Sequence, residues 1–140
     1  MIGSAVAGGA FYAATGSVPA AAACSLSHIL IDVDHLVDYF ALAKERFTPR
    51  AFRDWCYGCE GAKFLLPLHS YELFALLVLW AATHSHPVLS GTVAGIGVHL
   101  AMDQYGNRGA VPGFRLSKGF YFLAWRAKLD FRKDRLLVPE

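Results

Sequence analysis

The sequence predicts an all-α fold: a helical bundle of about four membrane-embedded helices followed by a C-terminal amphipathic helix. Two observations predict it. The 140-residue chain is 55% hydrophobic and only 17% charged, which places it on the apolar side of globular usage. Its charges are also segregated, with no Asp, Glu, Lys or Arg from Met1 to Ile31 or from Leu73 to Met102. A soluble helix shows water a charged stripe every turn or two, so uncharged runs of this length need lipid or burial on every side. A domain this small can rarely bury several such helices, which makes a compact soluble helical domain the alternative expectation.

In chain order the first apolar run is Ile2–Thr15, short for a span and rich in Gly and Ala. It is expected to pack inside the bundle or lie partly embedded. No basic residue precedes it, which argues against a secretory signal, and the same lack argues against reading Ala21-Ala22-Ala23-Cys24 as a lipoprotein site. Gly16, Ser17, Val18 and Pro19 form an outer turn, and the second span runs from Val18 to Ala41. A basic block, Lys44 to Lys63, separates it from a third span, Phe64–Thr83. His84, Ser85, His86 and Pro87 make the second outer turn, and Val88–Met102 is the fourth span.

The remaining basic residues lie in Arg108 to Arg135, with none before Lys44. The positive-inside rule then puts both blocks and both termini in the cytoplasm of a multi-pass inner-membrane protein. Residues 1–140 are read as one helical domain, with 107–140 as a cytoplasmic or interfacial tail. Within that tail Phe120–Leu129 mixes aromatic residues with Arg126 and Lys128, which suits either an interfacial helix or one that caps the core. A net charge of +2 is too small for nucleic-acid binding, so no nucleic-acid partner is expected and the basic blocks read as topology signals and contacts with anionic membrane lipid.

Ionisable groups recur inside the apolar runs. At 100° per residue His28, Asp32 and His35 fall within about a 60° arc of one helix face; in a regular helix Asp34 points away from it and Asp38 sits near its edge, and a local distortion would let either join. His69 and Glu72 share a face at i and i+3, and His99 and Asp103 repeat the His-x-x-x-Asp spacing of His28 and Asp32. In the expected topology all three groups occupy the cytoplasmic halves of their helices and share one layer. A carboxylate buried without a partner costs several kcal/mol or protonates, and a divalent cation offsets that penalty. His28, Asp32, His35, His69, Glu72, His99 and Asp103 are therefore candidate ligands for one or two metal ions, zinc first and manganese or iron as alternatives. A proton or ion relay is the competing reading of the same residues.

Asp32-Val33-Asp34-His35, then His69-Ser70 opening an apolar helix, then Gly95 ahead of His99-x-x-x-Asp103, resemble the YdjM-like family of predicted membrane-bound metal-dependent hydrolases. More distantly, the repeated His-x-x-x-Asp pattern is similar to the all-helical zinc-dependent phospholipase C and P1-nuclease group. The resemblance covers roughly Ser27 to Asn107. It implies that Asp32, Asp34, His35, His69, His99 and Asp103 are the functional positions and that the activity is hydrolysis. Relatives carry a His near the start of the first helix and a His-Arg pair before the His-Ser; here no His precedes His28, and Phe64 and Leu65 stand where the pair would fall.

A hydrolytic site would use a metal-activated water, with Asp34 or Glu72 as the carboxylate that takes the proton. Arg108, Arg115 and Lys118 could hold a phosphate, giving a phosphoester or lipid-like small molecule as the expected substrate. A non-haem iron oxidoreductase acting on lipid, a metal or proton transporter and an accessory protein with a structural metal are the other readings. Cys56-Tyr57-Gly58-Cys59 lacks the strand-and-helix context of a redox motif. His84 and His86 read as solvated turn residues, and Gly106, Asn107, Gly109, Pro112 and Gly113 as a loop able to shape the site entrance.

Overall fold

The computed structural model describes residues 2–58, 63–107 and 114–139. The chain is mostly helical with one small two-stranded sheet. It forms two compact units, each built from two stretches: Met1–Ile31 with Glu72–Asp103, and Asp32–Tyr71 with Gln104–Glu140. This division follows the charge map. All thirteen lysines and arginines belong to the second unit, five in its first stretch and eight in its second, whereas the first unit carries only Glu72 and Asp103, at its two borders.

In the first unit α1 (Ile2–Thr15) packs on α2 (Val18–Leu30). The turn between them needs Gly16, whose φ of +64° lies in the left-handed region that side chains avoid. Ser17 caps α2 by accepting the Ala20 N–H, and Pro19 sits in the first turn, where its missing N–H is not needed. α6 (Pro87–Gly106) approaches α2 through small residues at four-residue spacing. A Cβ on Gly91 would run into the Ala20 carbonyl, and one on Gly95 into the Cys24 carbonyl and Ser27 Oγ. This is the close backbone contact that a Gly-x-x-x-Gly stripe permits. Ser27 Oγ donates to the Thr92 carbonyl at 3.3 Å, and Ser25 Oγ to the Ser4 carbonyl at 3.1 Å. α5 (Tyr71–Thr83) places Phe74 against Gly97 of α6, yet no residue of α5 is buried, and Leu76, Leu79 and Trp80 stand more than half exposed.

The second unit contains α3 (Val33–Leu42) and α4 (Pro49–Gly58), which pack on each other, an irregular segment over 63–70, and a C-terminal part. That part is β1 (Phe114–Leu116), α7 (Leu123–Lys128), α8 (Lys133–Leu136) and β2 (Leu137–Pro139). β1 and β2 pair antiparallel with Arg115 opposite Val138. Tyr39 is the centre of an aromatic cluster, with Phe40, Phe47, Phe52 and Trp55 at ring distances of 5.5–5.9 Å. α3 is inverted relative to a water-soluble helix: Asp34 and Asp38 are buried, and Val33, Val37 and Phe40 are exposed.

The first expected span coincides with α1. The second is divided, because α2 ends at Leu30 and α3 starts at Val33, with Ile31 and Asp32 both kept in right-handed helical conformation. Among the described residues this joined stretch, Val18–Leu42, is the one helix long and apolar enough to cross a membrane. The third expected span is corrected. Its helix begins at Tyr71 rather than Phe64, because Pro67 and the buried carboxylates described below hold 64–70 out of helical form. The amphipathic helix expected over Phe120–Leu129 is also shorter, six residues long, and Phe120, Tyr121 and Arg126 are buried in the second unit. Cys59, Arg108, Gly109, Pro112 and Gly113 lie outside the described residues.

Candidate metal centre

In the second unit the break after Leu30 sets the site. Asp32 is the residue before α3, so Asp32 and His35 sit on its opening turn, with His35 N–H donating to the Asp32 carbonyl at 3.1 Å. The segment 63–70 supplies His69. One ligand atom each from Asp32, His35 and His69 falls within 4.8 Å of the others, a spacing one cation can bridge. Asp32 Oδ1 lies 3.5 Å from His69 Nε2 and 3.9 Å from His35 Nε2, and the two imidazole centroids are 4.9 Å apart. Burial is graded: the His69 side chain is 2% exposed, that of His35 28% and that of Asp32 55%, so one edge opens outward.

Asp34 is fully engaged behind this group. Its carboxylate lies 3.0 and 3.1 Å from His69 Nδ1, and Oδ2 also accepts the N–H groups of Leu68 at 3.0 Å and His69 at 3.3 Å. A carboxylate on Nδ1 fixes the tautomer with Nδ1–H and turns the Nε2 lone pair forward, as second-layer carboxylates do at metal-binding histidines. The consequence is a shortage of donors. A neutral imidazole has one N–H, yet both nitrogens of His69 face carboxylates, Asp34 on one side and Asp32 on the other. A cation between Nε2 and Asp32 would satisfy both. With two imidazoles and a carboxylate converging, the donor set suits a divalent transition metal with open positions.

The segment carrying His69 is held by side chains instead of regular structure. Asp38, one turn beyond Asp34 on α3, accepts the N–H groups of Leu65 at 2.7 Å and Leu66 at 3.2 Å through Oδ2. Arg126, fully buried on α7, donates from Nη2 to the His69 carbonyl at 3.1 Å, and its guanidinium lies over the Phe120 ring. Leu66 has φ +40°, which costs a non-glycine residue roughly 1–2 kcal/mol and has to be imposed by its surroundings.

In the first unit His28 and His99 form a second group, with ring centroids 5.0 Å apart. His28 Nδ1 faces the Gly95 carbonyl at 3.3 Å, and His99 Nδ1 faces the His28 carbonyl at 2.7 Å. These contacts favour Nδ1–H on both rings, and His99 Nε2 faces Asp103 Oδ2 at 3.3 Å. His28 Nε2 instead lies against Gly3 of α1, away from any carboxylate named above. Glu72 occupies the first turn of α5, half-buried. The seven expected ligands therefore fall as Asp32, His35 and His69 in the second unit and His28, Glu72, His99 and Asp103 in the first.

A regular helix through Ile31 and Asp32 would turn Asp34 away from the cluster, and the distortion there lets it join His69. Arg126 is buried, as in the core-capping alternative for Phe120–Leu129, and Asp38, near the edge of the expected face, is buried too. The available signal was an arginine directly after the aromatic run Phe120–Trp125, together with the i, i+4 pair Asp34 and Asp38 in an apolar helix. Arg115 is exposed on β1 and Lys118 is exposed just after it. His84 and His86 are exposed, as expected of a turn, and His84 Nδ1 sits 3.0 Å from the Trp80 carbonyl. Compared with protein families, curated proteins and solved structures, the chain has no match.

Proposed function

We propose that the protein is a membrane-bound metal-dependent hydrolase, cutting a phosphoester or lipid-like substrate at the cytoplasmic face of the inner membrane. The observation that carries the proposal is the convergence of Asp32, His35 and His69, with His69 buried and its Nδ1 held by Asp34. A divalent cation held by Asp32, His35 and His69, zinc in the first instance, would supply a water acidified towards neutral pH and a Lewis acid for the scissile group. Asp34 keeps the proton on His69 Nδ1 and aims Nε2, so its role is orientation rather than proton acceptance. Asp32, the most exposed of the three, is the carboxylate able to pass protons to solvent. Arg115 and Lys118, in the same unit, supply positive charge for a phosphate.

Membrane placement is supported by the inverted polarity of α3, the exposed apolar side chains of α5 and the confinement of every basic residue to the second unit. Those features fit four embedded segments with both termini inside. The resemblance to the YdjM-like family supports the hydrolytic reading over others, since its motif residues include Asp32, Asp34, His35 and His69.

One observation favours a second reading. Two histidines and one carboxylate also form the ligand set of non-haem iron oxygenases, and a lipid-facing iron oxidoreductase would use the same three residues. The test is to purify the full chain in detergent, measure metal per chain, and assay phosphodiester and phosphomonoester hydrolysis before and after chelation. Bound zinc or manganese with chelator-sensitive hydrolysis is expected. Iron with an oxygen-dependent spectrum and no hydrolysis selects the second reading. Metal content unchanged by Asp32→Ala, His35→Ala and His69→Ala rejects both.

A further inference from the structure

We propose that Asp38 and Arg126 are positioning residues that hold the His69 segment in its ligating form before any metal arrives. This rests on the metal-site reading of Asp32, His35 and His69. Neither residue offers an atom to that site, yet both reach the segment that supplies its most buried ligand.

In residues 64–70 Phe64, Leu66, His69 and Ser70 are buried while Leu68 is exposed, and no named strand or helix serves their amides. Their partners are charged side chains and distant loops. Asp38 takes Leu65 and Leu66, Asp34 takes Leu68 and His69, and the Phe131 carbonyl takes the Phe64 N–H at 2.9 Å. The Leu66 carbonyl accepts the His69 N–H at 3.1 Å, so the left-handed Leu66 is tied directly to the ligand. At the far end Arg126 grips the His69 carbonyl, and the Tyr71 N–H reaches the Tyr121 carbonyl at 2.9 Å.

Two features make this a positioning device rather than ordinary packing. Asp38 and Arg126 are both 0% exposed and reach the same short segment, although they come from α3 and from a helix more than eighty residues later. The bonds they make also bracket His69, since Asp38 fixes the backbone ahead of it and Arg126 fixes its own carbonyl. A ring whose backbone is clamped on both sides and whose Nδ1 is held by Asp34 has little freedom left to lose on binding. Residues that orient a ligand in this way contribute about 10–100-fold to metal affinity.

The first test uses the unmodified protein in detergent. Amide hydrogen exchange at Leu65, Leu66, Leu68 and His69 is followed in chelated protein and again with Co2+. Protection comparable to that of α3 without metal is expected; amides that exchange rapidly until Co2+ is added overturn the proposal. The second test titrates Co2+ into Asp38→Asn and Arg126→Lys, with the apo melting temperature measured in parallel. An affinity loss of about tenfold or more with a changed Co2+ spectrum is expected. Wild-type affinity and spectrum with only a lower melting temperature show a merely structural role and overturn it. Should either variant fail to fold, the exchange experiment still decides. His35→Ala and His69→Ala serve as controls: loss of Co2+ there with wild-type binding in Asp38→Asn and Arg126→Lys rejects positioning alone, whereas unchanged Co2+ in the controls rejects the metal site itself.

Discussion

The two units both bury histidines against oxygen, but the oxygens differ. In the first unit His28 and His99 turn Nδ1 to backbone carbonyls of α6 and α2, so the rings work as connectors between helices that already touch through Ala20, Cys24, Gly91 and Gly95. In the second, His69 turns Nδ1 to the Asp34 carboxylate, and the backbone around it is held by Asp38 and Arg126. A carbonyl is neutral and only orients a ring, whereas a carboxylate also raises the donor strength of the opposite nitrogen. The two units thus present different partners to Nδ1, a neutral carbonyl in the first and a carboxylate in the second, and Asp32, His35 and His69 of the second could hold a metal ion.

The comparison breaks most sharply at the ligand itself. His69→Ala is expected to weaken metal binding by more than about 100-fold, since second-layer partners alone account for 10–100-fold; metal per chain after gel filtration measures it. Asp34→Asn comes next. An amide in place of the carboxylate can present N–H to Nδ1 and favour the wrong tautomer, with about 10–100-fold lower affinity for Co2+ expected in a direct titration. A wild-type affinity would place Asp34 in packing, like the carbonyls of the first unit.

Gly91→Leu probes the opposite side. Its side chain meets the Ala20 backbone, and overpacking of that kind costs about 1–3 kcal/mol. The melting temperature is expected to fall while Co2+ affinity at Asp32, His35 and His69 is retained. The smallest effect concerns Asp134, whose carboxyl Arg132 holds below the usual carboxylate range by a direct 2.8 Å hydrogen bond. A depressed folded-state pKa adds stability that is present above the unfolded value and is lost as pH falls through the folded one. Asp134→Asn should therefore melt slightly lower than the parent at neutral pH, with the difference closing below about pH 4. The pair is fully exposed, so a large gap would mean that it does more than decorate the surface.

Much of this was legible in the chain. Helical class followed from the uncharged runs, and α1 took the bounds its composition suggested. Asp32 and His35 were read from their helical spacing and His69 from its i, i+3 spacing with Glu72, all three also from the resemblance. What escaped were interruptions: the turn at Ile31 and Asp32, which carries no Gly or Pro to mark it, and the irregular stretch before Tyr71, whose apolar residues read as helix. Hydrophobic periodicity reports burial and lipid contact, but it cannot see a backbone whose hydrogen bonds go to side chains from elsewhere.

By itself the sequence determined where charge is allowed, and so which stretches suit lipid, and it determined which residue types are available to hold a cation. Those are properties of composition along the chain. Only the tertiary structure decided which histidine meets a carboxylate through Nδ1, because Asp34 meets His69 thirty-five residues away and Arg126 reaches the same residue across fifty-seven. Ligand strength depends on that partner, and a partner at such separation is fixed by packing, which no local pattern records.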